Sequence, residues 1–180
     1  YVPAAKNYIE LKENRNWEHP PLGKSILAVG ILVAGDRPIG WRVMSTVFGA
    51  LTLVGMFLWA YVLFRDETLA LFAALLTLFN NLLYVQARIG MLDTYMFAFL
   101  SWGLAAFCAT WKPGFLTGPL PNATVAREAE LRLNRQLFAF LGIMLGLTTA
   151  CKWFGVVVWL SLLLLVLGIR LLQNWGVSFA

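Results

Sequence analysis

Long uncharged stretches alternate with short charged breaks over most of this chain. The uncharged runs extend from Val43 to Phe64, Leu69 to Ala87, Thr94 to Trp111, Gln136 to Cys151 and Trp153 to Ile169. A helix that crosses a bilayer needs roughly 20 apolar residues, with about 17 as a lower bound. Three of the five runs meet that length, Trp153 to Ile169 just reaches it, and Gln136 to Cys151 does so if Lys152 snorkels. Ser25 to Gly35 is too short to cross and reads as an interfacial helix. The pattern predicts an all-α, polytopic membrane helix bundle.

The first residues follow a different rhythm. From Tyr1 to Glu13, Val2, Ala5, Ile9 and Leu11 fall on one side and Lys6, Glu10 and Glu13 on the other, with Pro3 early. That spacing predicts a short amphipathic helix with a tolerated N-terminal proline. A polar turn follows at Asn14-Arg15-Asn16, and Gly35-Asp36-Arg37-Pro38 separates the interfacial helix from the first full span. Residues 1–36 are thus expected to form a first extracytoplasmic loop carrying two juxtamembrane helices. Residues 37–180 are expected to form a bundle of five crossings within a longer chain. The spans are joined at Arg65-Asp66-Glu67, at Arg88 to Asp93, by a long loop from Lys112 to Arg135, and by the Cys151-Lys152 corner.

Composition narrows the function classes. Hydrophobic residues make up 60% and charged residues 13% of 180 positions, which places the chain among membrane proteins rather than soluble domains. The net charge of +5 comes from cations scattered along helix ends, without a basic run or basic-aromatic stripe, so nucleic acid is not an expected partner. One histidine excludes a multi-histidine metal site within this chain, and no metal or other cofactor is expected. Cys108 and Cys151 fall near opposite ends of their helices, across a slab about 30 Å thick, and are expected to stay unpaired.

With the N-terminal loop outside, six cations lie inside and eight outside, against the usual inside bias. An anionic ligand held by several outer cations would account for that excess. On this topology the sequon Asn122-Ala123-Thr124 faces the cytoplasm and is expected to be unmodified.

Chemistry concentrates where the chain first turns apolar. Asn16-Trp17-Glu18-His19-Pro20-Pro21-Leu22-Gly23-Lys24 places an acid, the histidine, a stiff Pro-Pro step and a lysine together. Proline fixes its own φ and pushes the preceding residue toward an extended shape, so His19 is presented on a strut. Topology brings Glu18, His19, Lys24, Asp36, Arg37, Arg42, Arg88, Asp93 and Lys152 to one membrane face. Such a ring of cations can bind a phosphate or diphosphate at headgroup depth, and its carboxylates can serve as base or substrate clamp. Snorkelling anchors are the plainer reading of any single lysine or arginine, and Asp93 lies near enough to Arg88 to pair with it. Three other signals read as packing or anchoring. Gly23-Lys24-Ser25 lacks the earlier glycine of a phosphate loop, where Glu18 stands. Gly142 and Gly146 read as a close helix contact. Trp17, Trp41, Trp102, Trp111 and Trp153 read as an aromatic belt.

These motifs resemble the protein O-mannosyltransferase family, within the GT-C glycosyltransferases. Tyr1-Val2-Pro3-Ala4-Ala5-Lys6 looks like the helix that follows the family's Asp-Glu pair. Glu18-His19-Pro20-Pro21-Leu22-Gly23-Lys24 is similar to its His-Pro-Pro-Leu-Gly-Lys signature and the acid before it. Gly40-Trp41-Arg42 resembles the arginine at the start of the second helix. Gln86-Ala87-Arg88-Ile89-Gly90-Met91-Leu92-Asp93-Thr94 is close to the Arg-Ile-x-Met-Leu-Asp block. Gly146-Leu147-Thr148-Thr149-Ala150-Cys151-Lys152-Trp153 is like the Gly-Leu-x-x-x-x-Lys-Trp hairpin.

The resemblance implies a membrane glycosyltransferase that moves a sugar, mannose in this family, from a polyprenyl- or dolichyl-phosphate donor to a protein serine or threonine, with inversion. It implies an active face outside the cytoplasm, in a bacterial plasma membrane or the endoplasmic reticulum. By residue it assigns Glu18 and Asp93 to the acidic, catalytic side, and His19, Lys24, Arg42, Arg88 and Lys152 to the polar or phosphate-binding side. The expected partners are the bilayer, the lipid-phosphate sugar, an acceptor protein and other membrane subunits. The family's presumed base belongs to the Asp-Glu pair ahead of the helix that starts here at Tyr1, so this piece alone is expected to be inactive. A truncated, non-catalytic homologue serving as a structural subunit is the alternative.

Overall fold

The computed structural model describes residues 1–13, 16–111 and 123–174. Among them the chain forms eight helices and no strand, in the order α1 (Val2–Ile9), α2 (Leu22–Ala34), α3 (Pro38–Phe64), α4 (Glu67–Leu78), α5 (Asn81–Gln86), α6 (Leu92–Thr110), α7 (Ala123–Cys151) and α8 (Phe154–Asn174). The all-helical bundle expected from the sequence is therefore what forms. Of the described helices, α3 and α6 are both long and apolar enough to cross a membrane; α2, α4 and the Phe154–Ile169 part of α8 are shorter apolar helices.

The centre of the bundle is α3 against α6 against α7. With 27 residues, α3 is about 40 Å long, more than the hydrocarbon thickness. It turns Ser45, Gly49, Thr52 and Gly55 inward. Small residues let backbones approach where lipid supplies no hydrophobic drive between helices. At Gly55 a Cβ would collide with the Ser101 side chain, so the α3–α6 contact depends on that hydrogen. The Trp102 indole donates to the Leu51 carbonyl (2.9 Å), and Ser45 shares a hydrogen bond with the Tyr95 hydroxyl (2.8 Å). On the other side of α6, Ala106 and Phe107 pack with Leu141 and Leu145 of α7. Trp102 thus works mid-helix, not in an aromatic belt.

Four local expectations are corrected by the structure. The first helix stops at Ile9, because Leu11 adopts a left-handed conformation (φ 53°) and is 94% exposed, off the apolar face. The run from Leu69 to Ala87 is two helices, interrupted at Phe79 and Asn80. The Asn80 side chain accepts from the Leu83 amide (3.0 Å), capping α5 as Asp66 caps α4 through Leu69 (2.9 Å). The expected loop from Lys112 to Arg135 is helical from Ala123 onward. A Cβ at Gly142 or Gly146 would meet nothing within 4 Å, so neither is a close contact among the described residues. Asn14, Arg15, Lys112 and the sequon asparagine Asn122 lie outside the described residues. Cys108 and Cys151 form no disulfide among the described residues.

Candidate functional site

One end of the bundle collects the starts of α2, α3 and α6 with the ends of α5 and α7. Gly90, at φ 71°, lets the α5–α6 turn lie against α3: a Cβ there would come 2.9 Å from the Trp41 carbonyl oxygen. The Thr46 hydroxyl donates to the Ala87 carbonyl (3.3 Å), tying α3 to the end of α5. Gly23 sits on Leu92 and Tyr95, where a Cβ would come 2.9 Å from Leu92 Cδ2, so α2 starts directly over the start of α6.

Asp93 and Lys152 form the central ion pair. Their Oδ1 and Nζ are 2.6 Å apart, and the side chains are only 13% and 27% exposed. The fold favours this placement. Asp93 stands in the first turn of α6 and Lys152 follows the last residue of α7, so each charge meets the helix-dipole end of opposite sign. The expected pairing of Asp93 with Arg88 does not form. Arg88 instead donates from Nη1 to the Tyr84 hydroxyl (2.6 Å) and lies over that ring. One helical turn along α5 is a nearer partner than the far side of the Gly90 turn.

Tyr1 is the residue that sequence reasoning missed. Its ring is 5.6 Å from that of His19 and packs on the cluster of Leu92, Tyr95, Met96 and Cys151. Burial pushes its phenol above the ordinary value; the Lys152 charge pulls it back, while Asp93 and Glu18 push it further up. The only available signal was Tyr1's place at the head of an amphipathic helix. Glu18 is exposed and His19 half-buried on the strut.

Lys24 lies beneath this group rather than in it. It is fully buried, and its ammonium donates to the carbonyls of Asn16 (2.6 Å) and His19 (2.8 Å) and faces the Tyr8 ring. Burial pulls its pKa below the usual lysine value. Its proton donors are spent on the loop backbone, which holds the strut in place. Asp36 is likewise committed: it bonds Lys6 (2.6 Å) and the Trp41 indole (2.7 Å), and those hydrogen bonds hold its carboxyl below the ordinary range. Arg37 bonds the Ala34 carbonyl (2.8 Å).

Arg42 and Arg88 form a second group, on the side of α3 that faces α5. Both are exposed, and each lines a surface groove that includes Thr46. Among the described residues neither has a carboxylate partner. Among the described residues no three of His, Cys, Asp and Glu gather closely enough to hold a metal ion. This end of the bundle thus carries a neutralised acid–base pair, an exposed acid, a histidine and two guanidinium groups open to an anion.

The fold defines a helical membrane bundle with ionisable groups gathered at one end. A family model described as dolichyl-phosphate-mannose-protein mannosyltransferase matches residues 32–179, and the chain belongs to that family. It is accordingly a membrane-associated protein. A polyprenol-phosphate-mannose–protein mannosyltransferase of Corynebacterium glutamicum is 30% identical over 165 residues, covering 88% of this chain and 32% of that protein. Proteins of the same name from Mycolicibacterium smegmatis (29% identical) and Mycobacterium tuberculosis (26%) each align over 145 residues, covering 77% of this chain. The chain spans about a third of the length of these curated relatives. No solved structure matches.

Proposed function

We propose that this chain forms the charged end, and part of the membrane bundle, of an enzyme that transfers mannose from a polyprenyl-phosphate donor to a protein serine or threonine. The observation that carries this reading is the Asp93–Lys152 pair at 2.6 Å, formed at the same end of the bundle where Tyr1 packs both on the start of α6 and against the His19 ring. Ionisable groups at a membrane rim cost free energy and are kept where they have a task. The names of the relatives support a lipid-phosphate mannose donor and a protein acceptor, and they do not favour the structural-subunit alternative.

In this proposal α3, α4 with α5, α6, the second half of α7, and α8 make five crossings, and residues 1–36 lie on the extracytoplasmic face. The acceptor oxygen attacks the sugar carbon from the side opposite the phosphate. The carbon–oxygen bond to phosphate breaks, its electron pair leaves with the lipid phosphate, and a carboxylate takes the hydroxyl proton. Arg42 and Arg88 meet the charge that grows on the departing phosphate. Asp93 fixes Lys152 at the same level, and His19, steadied by Tyr1, lines the sugar side. Glu18 is exposed and has no ion-pair partner among the described residues, which suits it to touch substrate. Lys24 positions the Glu18–His19 strut.

The test is mannose transfer by the full-length protein to a serine-containing acceptor peptide, with Glu18→Gln, Asp93→Asn and Arg42→Ala compared at equal expression. Glu18→Gln and Asp93→Asn are expected to lose transfer, and Arg42→Ala to weaken it through a higher donor KM. Retention of full activity by all three would remove this end of the bundle from the reaction.

A further inference from the structure

A groove of about 420 Å³ runs between α3 and the broken α4–α5 arm, lined by Gly49, Ala50, Leu53, Leu78, Leu83 and Tyr84. From Thr46 to Leu53 it follows seven residues of α3, about 10 Å along the membrane normal. The hydroxyls that border it are used up internally: Thr46 donates to the Ala87 carbonyl (3.3 Å) and Thr77 to the Ala73 carbonyl (2.8 Å). What remains open to an occupant below the rim is hydrocarbon. At the rim the chemistry reverses. Arg88 closes the groove, Arg42 lines the adjoining 480 Å³ depression that shares Thr46, and neither guanidinium meets a carboxylate among the described residues. The Tyr84 hydroxyl accepts from Arg88 (2.6 Å) and so keeps its own proton for an anion above.

A second groove, of about 590 Å³, lies along α7 and α8, lined by Pro20, Gly146, Thr149, Trp153 and Trp159. It opens beside Lys152, whose charge is already neutralised by Asp93 at 2.6 Å. Charge complementarity therefore separates the two grooves. An amphiphile with an anionic head and a long apolar chain is matched at α3–α5, and only its chain is matched at α7–α8.

We infer that the groove between α3 and α4–α5 holds the phosphate-proximal part of the donor's polyprenyl chain, with the phosphate on Arg42, Arg88 and the Tyr84 hydroxyl. This rests on the reading of the donor as a lipid phosphate. The break at Phe79 and Asn80 has a use in this arrangement, since it interrupts the wall that a continuous helix would set against α3. Bulk at Ala50 fills the groove without touching the rim.

The test uses the full-length protein in lipid nanodiscs and a polyprenyl phosphate with a photoreactive diazirine in its first isoprene units. Crosslinks mapped by mass spectrometry are expected on Ala50, Leu53 and Leu78. Ala50→Trp is expected to reduce labelling about tenfold, while Leu164→Trp, on the exposed face of α8, leaves it unchanged. Crosslinks confined to Gly146, Trp153 and Trp159 would overturn the inference, and mapping on the unsubstituted protein decides this even if Ala50→Trp fails to fold. Equal displacement of the probe by phosphatidylglycerol would also overturn it, by making the groove a general phospholipid site. The two readings fail separately. Labelling on α3 without mannose transfer keeps the groove and removes the reaction; transfer with labelling elsewhere does the reverse.

Discussion

The two charged groups at the same end of this bundle are held in opposite ways. Asp93 and Lys152 are half-buried, paired at 2.6 Å and aligned with two helix dipoles. Arg42 and Arg88 are exposed and lack a carboxylate partner among the described residues. A partly buried pair is costly to break from one side, because the remaining charge is left without compensation. Exposed cations cost little to remove and are free to meet a ligand. The first group therefore looks built to fix geometry, and the second to receive charge.

Breaking the first group has the largest expected effect. Asp93→Ala is expected to lower mannose transfer by the full-length protein about 100-fold, near 2.7 kcal/mol, and to cost about 2 kcal/mol of stability. The swapped pair Asp93→Lys with Lys152→Asp sharpens the point. It is expected to recover part of the thermal stability but not the transfer, measured as Tm in detergent and as kcat. Recovery of both would reduce the pair to a structural tie.

Lys24 tests which group the strut lysine belongs to. Lys24→Met keeps the buried alkyl stem but strands the carbonyls of Asn16 and His19, and is expected to cost about 3 kcal/mol. Hydrogen exchange at residues 16–19 is expected to rise, while donor KM holds. A raised KM at unchanged stability would return Lys24 to the phosphate-binding side.

Arg42→Ala and Arg88→Ala are expected to raise donor KM about tenfold each, with stability changed by less than about 0.5 kcal/mol. Loss of stability without a change in KM would make the two groups alike and dissolve the contrast.

The smallest effect belongs to Asp36, away from both groups. Its carboxyl is depressed by hydrogen bonds from Lys6 and Trp41, so their contribution is present above the ordinary carboxylate pKa and lost as pH falls through the lowered folded value. Asp36→Asn is expected to lower Tm slightly at neutral pH, and the difference from the parent is expected to vanish in acid.

Much of this was readable in the residues themselves. Apolar runs announced a helical bundle, and the Glu18-to-Lys24, Arg88-to-Asp93 and Cys151-Lys152 segments announced which ends would meet. What the chain concealed was partnership. Nothing local couples Asp93 to Lys152 across 59 positions, and Arg88 was the nearer guess until Tyr84 proved a better-placed acceptor. The break in the second run was hidden because hydropathy continues through it, although Asn80 is a residue type that caps helices. The charged stretch before Phe138 reads as a loop because it has no apolar run, although Glu128, Arg132 and Arg135 stand exposed on a helix that begins at Ala123. Gly142 and Gly146 show the converse: a packing motif with open space beside it.

The central claim is that this end of the bundle, and not the other, receives the lipid phosphate. It is tested most directly by phosphorus NMR of polyprenyl phosphate bound to the full-length protein, with a paramagnetic label on an exposed site at one end or the other. A label at Ile89, beside Arg88, is expected to broaden the phosphorus signal strongly, and one at Leu69, at the start of α4, is expected to leave it sharp. Equal broadening from both positions, or broadening from Leu69 alone, would contradict the account.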